Sequence, residues 1–147
     1  MKDIALTVDQ MQELKELGID TSKASMIWNP HGFRNNIEYE LRIYDSNMHR
    51  IVDDKLGKLS GDLAVFNAVP AFTLQDILEI LPEEIVGSTK QIKTVNFHLV
   101  TRGTNVYYLQ EGGWCKQWLK CTHGNTLLEA AFSMLKWVAH NHPKLLK

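Results

Sequence analysis

The chain has 147 residues, 44% of them hydrophobic and 22% charged, with a formal net charge of -1. That length suits one domain with a single core, and the near-neutral balance excludes a protein that holds nucleic acid through a global excess of lysine and arginine. Two cysteines, Cys115 and Cys121, exclude a disulfide framework.

Met1–Val8 carries no apolar run behind a basic start, so no secretory leader is expected. No stretch approaches the ~18 apolar residues of a membrane span. A cytoplasmic protein with reduced thiols is the resulting expectation.

Leu6–Gly18 reads as the first helix. Thr7 caps it, Gln10 completes a capping box, and Leu6 can staple onto Met11. Met11, Leu14 and Leu17 form its apolar side, and Gly18 supplies a left-handed stop. Ala24–Trp28 is a short strand ended by the turn signal Asn29-Pro30. In Ile37–Tyr44 the residues Ile37, Tyr39, Leu41 and Ile43 alternate with polar neighbours, which predicts a strand with one buried face. The two strands can pair as a hairpin. Ser46–Gly61 has no period and reads as a long loop, and Asp62–Ala71 is an extended lead-in to the next helix. Thr73–Leu81 repeats the grammar of the first helix, with Thr73 and Asp76 as the box, Phe72 and Ile77 as the staple, and Pro82 at the exit.

Lys93–Thr122 predicts a meander of three strands. Two-residue turns at Arg102-Gly103 and Gly112-Gly113 would set Leu99 opposite Val106, and Val106 opposite Leu119. Phe97, Tyr108, Gln117, Val95, Cys115 and Cys121 would share that inner face. The outer face would carry a row of His98, Tyr107 and Trp118, with Lys116 and Lys120 beside it. A slip of one residue would exchange the faces. Thr126–Asn141 closes the chain as an amphipathic helix, capped by Thr126 with Glu129 and striped by Leu128, Ala131, Phe132, Leu135 and Val138. Its small residues Ala130 and Ala131 suit close packing on a sheet.

These elements predict an α+β protein, an antiparallel sheet that includes the C-terminal meander, with helices on one face. The opening Leu6–Gln10 with Leu14–Gly18, the segment Val69–Leu74 and the closing Leu127–Ala130 resemble small proteins encoded in prophage and mobile-element regions of gut anaerobic bacteria. The resemblance implies a phage-related accessory role. It carries no activity, so it implies no catalytic residue.

The chemistry-bearing residues are sparse. Cys115, Cys121 and His123 lack the close cysteine pairs of a zinc site, and the register above turns both thiols inward as small core fillers. Asp53, Asp54 and Asp62 lack the alternate oxygen-ligand spacing of a calcium loop. The six histidines are scattered, and there is no nucleophile elbow, metalloprotease helix or phosphate-binding glycine loop. No enzyme, metal or cofactor is expected. The row His98, Tyr107, Trp118 with Lys116 and Lys120 has two readings. Exposed Trp and Tyr suit a protein interface, either self-association or a host or phage partner. Stacking rings beside lysines also suit single-stranded nucleic acid. The interface is the leading expectation and nucleic acid the alternative.

Overall fold

The computed structural model describes residues 4–33, 36–43, 68–88, 94–110 and 117–147, with backbone only at 31–33, 36 and 37. Helix α1 spans Val8–Glu16, and strands β1 (Met26–Phe33), β2 (Asn36–Ile43) and β3 (Val69–Ala71) follow. Next come helix α2 (Leu74–Ile80), strands β4 (Glu84–Gly87), β5 (Val95–Arg102), β6 (Asn105–Gln110) and β7 (Gln117–His123), and helix α3 (Leu127–Asn141). A 3-10 turn at Pro143–Leu145 ends the chain. The protein is α+β, with strands in two antiparallel sheets of order β2-β1-β3 and β4-β5-β6-β7. It divides into two compact units, Met1–Asp76 and Ile77–Lys147.

In the first unit the reciprocal box of α1 is formed: Gln10 N–H donates to Thr7 Oγ1 at 3.2 Å, and Thr7 N–H to Gln10 Oε1 at 2.9 Å. Met11 and Leu14 are buried, but Leu17 is the C-cap and lies 39% exposed. Gly18 follows with φ 81°, the left-handed stop. Leu6 is pinned from two sides: its N–H donates to the Phe72 carbonyl at 2.8 Å, and its carbonyl accepts the Trp28 indole N–H at 2.7 Å.

Strand β1 does not end at Asn29-Pro30 as the turn signal predicted. It runs on to Phe33 and pairs with β2 from Met26↔Ile43 to Phe33↔Asn36. A proline fits inside a strand when its nitrogen faces an open flank. The closing pair Phe33–Asn36 and the alternation of the ladder turn the Pro30 nitrogen away from β2. On that side the described residues of β3 pair with Met26, Ile27 and Trp28 and not with Pro30. Alternation on β2 sets Tyr39, Leu41 and Ile43 opposite Pro30, Trp28 and Met26, yet Tyr39 is 42% and Ile43 75% exposed. β2 is the edge strand, whereas Trp28 on central β1 is held to the N-terminal segment.

The boundary between units falls inside α2. Its cap belongs to the first unit: Asp76 N–H donates to Thr73 Oγ1 at 3.2 Å and Thr73 N–H to Asp76 Oδ2 at 2.8 Å. The same oxygen accepts the Ser25 hydroxyl at 2.7 Å and the Ser25 N–H at 3.1 Å. A carboxylate only 8% exposed thereby accepts three hydrogen bonds at one oxygen.

In the second unit β4 is a strand the sequence reading did not include. It pairs with β5 from Glu84↔His98 to Gly87↔Val95 and extends the meander to four strands. Gly87 sits where a Cβ would fall 2.9 Å from the Phe97 ring. The β5–β6 turn is Gly103-Thr104 and not Arg102-Gly103, with Arg102↔Asn105 as the closing pair. Both tight hairpin turns need a positive φ at their first central residue. Gly103 has φ 57° there, which an arginine would adopt at a cost. Val95, Phe97, Val106 and Tyr108 are buried on the inner face. α3 packs on β6 and β7, burying the whole predicted stripe together with Ala130 and Met134. Thr126 caps it through Glu129 N–H at 3.2 Å, while the Glu129 carboxylate reaches one residue further back, to Asn125 N–H at 2.8 Å.

Candidate interaction face

The meander's outer face is shaped by one irregularity in β7. Between β6 and β7 the pairs run Asn105↔His123, Val106↔Thr122, Tyr107↔Cys121 and Tyr108↔Lys120, then shift to Leu109↔Trp118 and Gln110↔Gln117. Leu119 is the extra residue, so Leu119 and Lys120 together oppose Tyr108, as in a β-bulge. Beyond the bulge the alternation of β7 is inverted relative to an uninterrupted strand. Thr122 turns inward and is buried, giving its hydroxyl to the Ala130 carbonyl of α3 at 2.7 Å. Cys121 turns outward, opposite Tyr107, and is a half-buried free thiol. This corrects the expectation that Cys121 fills the core. Cys115 lies outside the described residues, as do the predicted turn Gly112-Gly113, the loop Ser46–Gly61, and Asp53, Asp54 and Asp62.

Of the expected row, Tyr107 and Trp118 do come together, with ring centroids 6.1 Å apart and planes tilted by 60°. Trp118 is 60% exposed. His98 is on the same face but pairs with Leu109, while Tyr107 pairs with Val100, so the row is staggered and not straight. His98 Nδ1 lies 3.1 Å from Glu84 Oε1 on the neighbouring strand β4. Lys120 is not part of this arrangement. Lys120 shares the register position of Tyr108, on the inward parity, because of the bulge. Lys116 lies outside the described residues.

The structure adds a polar chain that the sequence reading missed. Asn105 Nδ2 donates to the Tyr107 hydroxyl at 3.2 Å, and Asn105 Oδ1 is in hydrogen-bond contact with His123 Nδ1. The Thr104 hydroxyl also approaches His123 Nδ1, at 3.4 Å. Asn105 and His123 become neighbours only through the shifted hairpin register, so no local motif announces them. The chain holds the Tyr107 hydroxyl, and the Tyr107 ring lies beside that of Trp118. Among the described residues no group of three or more His, Cys, Asp or Glu side chains is placed to hold a metal ion. No described helix is long and apolar enough to cross a membrane.

Comparison of the chain with family models, with curated proteins and with solved structures finds no match.

Proposed function

We propose that the protein is a non-enzymatic interaction protein that docks a protein partner on the outer face of its second sheet. The observation that carries this reading is Trp118, 60% exposed on β7 with its ring tilted against that of Tyr107. A large ring held in one orientation adds contact area at small entropic cost, which is why Trp and Tyr anchor interfaces. Val86 on β4, 62% exposed, adds apolar surface on the same face. A phage-related accessory protein of the cytoplasm is consistent with that role.

Single-stranded nucleic acid draws less support from the same face. Stacking needs the rings, but affinity needs cations near the phosphates. Lys120 has the inward register, and Glu84 stands beside His98 on the outer face.

Sedimentation and thermal melting of the wild type and Trp118→Ala test the proposal, together with titration of a labelled oligothymidylate. The expected result is an unchanged fold, within about 0.5 kcal/mol as for surface substitutions, with association through the face abolished and negligible oligonucleotide binding at physiological salt. A variant that melts far lower would assign Trp118 to the fold and remove the proposal's basis.

A further inference from the structure

We propose that the Tyr107–Trp118 corner receives a proline-rich segment in the extended polyproline II conformation. This names the partner's chemistry at the face proposed above and rests on that reading.

The first argument is hydrogen-bond inventory. A polyproline II chain has no internal hydrogen bonds, so its carbonyls are open acceptors, and proline contributes no N–H. A matching surface must donate and need not accept. Trp118 is such a donor: its indole N–H can only donate, and it has no hydrogen-bond partner among the described residues. The Tyr107 hydroxyl accepts from Asn105 Nδ2 at 3.2 Å, which leaves its own hydrogen to give. Asn105 is itself held by His123 Nδ1, so the hydroxyl is aimed before any ligand arrives.

Shape is the second argument. Two rings tilted by 60° with centroids 6.1 Å apart make a corner with flat apolar walls, open to solvent on the Trp118 side. A pyrrolidine ring is compact, flat-sided and conformationally fixed, so it can pack there with little further loss of entropy. Polyproline II repeats every three residues, about 9 Å along its axis, so one face of the ligand presents rings at a regular spacing.

The third argument is charge. Among the described residues of this face the formal charges are Glu84, whose Oε1 lies 3.1 Å from His98 Nδ1, and Arg102 at the hairpin end, one of each sign. A near-neutral surface complements an uncharged proline-rich chain and offers little to a phosphodiester backbone or a highly charged helix.

The test uses the full chain and a synthetic proline peptide of about ten residues, with a glycine–serine peptide of equal length as control. Affinity is read from the fluorescence anisotropy of the labelled peptide, in the wild type and in every variant, and the site from the indole N–H resonance of Trp118, assigned by its disappearance in Trp118→Phe. We expect a saturable shift with the proline peptide and none with the control. Trp118→Ala and Tyr107→Ala should each weaken binding about tenfold or more, as loss of an anchor does. Tyr107→Phe, which keeps the ring and removes only the hydroxyl, should weaken it severalfold with the fold unchanged. Absence of a saturable shift at millimolar peptide, or equal affinity in folded Trp118→Ala, overturns the proposal. If the peptide fails while wild-type self-association still depends on Trp118, the proline assignment falls and the interface reading stands. If both fail, both fall.

Discussion

Thr122 gives its hydroxyl to the carbonyl of Ala130, across the interface between β7 and α3, at 2.7 Å. The contact exists only because the bulge at Leu119 turns Thr122 inward, so it reports on the feature that also shapes the outer face. Thr122→Val keeps the shape and deletes the bond. It should cost about 0.5–1.5 kcal/mol in a denaturant melt. A stabilisation would mean that the hydroxyl is not buried against the helix.

Cys121 lies on the opposite parity, half-buried beside Tyr107. An accessible thiol is alkylated in the native state, whereas a core thiol waits for unfolding. Native treatment with iodoacetamide followed by peptide mapping should therefore show modification at Cys121, and Cys121→Ser should leave the melting temperature nearly unchanged. Protection of Cys121 until the global transition would place it in the core and contradict the bulge.

Asp76 ties the start of α2 to Ser25, which is 51 residues away in sequence, through one carboxylate oxygen. Asp76→Ala removes the acceptor for Ser25 N–H, the Ser25 hydroxyl and Thr73 N–H together. We expect a loss of roughly 2–4 kcal/mol, since donors left unsatisfied near the core cost more than the bonds return. Asp76→Asn keeps an acceptor oxygen and should recover part of it. Chemical denaturation of the three proteins gives the comparison.

Tyr108 is fully buried, and its hydroxyl donates to the Pro82 carbonyl at 2.8 Å. Burial pushes its phenol well above the ordinary value of 10.0. The folded state therefore keeps this proton at a pH where the unfolded chain has released it. Stability from Tyr108 is complete below about pH 10 and declines above it, as the unfolded form ionises. Tyr108→Phe should cost about 1 kcal/mol at neutral pH through the lost hydrogen bond, and its stability should fall less steeply than the wild type between pH 10 and 12. Parallel alkaline limbs would show that Tyr108 ionises freely in the native protein.

Features that close within a few residues were legible from the chain alone. Thr7 with Gln10, Thr73 with Asp76, and Thr126 with Glu129 are spaced so that a side chain meets a helix N–H three residues on, and each of the described α-helices starts there. The stripe of α3 and the C-terminal meander were legible for the same reason, since period and turn chemistry are local. What alternation could not say was whether anything covers a face. Tyr39 and Ile43 keep the predicted parity on β2, yet an edge strand leaves them exposed. The turn signal Asn29-Pro30 was overridden because only the pairing of β1 decides which flank a proline nitrogen meets. The outer face depended on two register events, a turn displaced by one residue to Gly103-Thr104 and one extra residue at Leu119. Each inverts or shifts every pair beyond it; the turn follows the positive φ that Gly103 adopts, whereas no local preference decides the bulge. Tertiary packing of β7 against α3 selects Thr122 for the inside, and with that choice sets Lys120, Cys121 and His123.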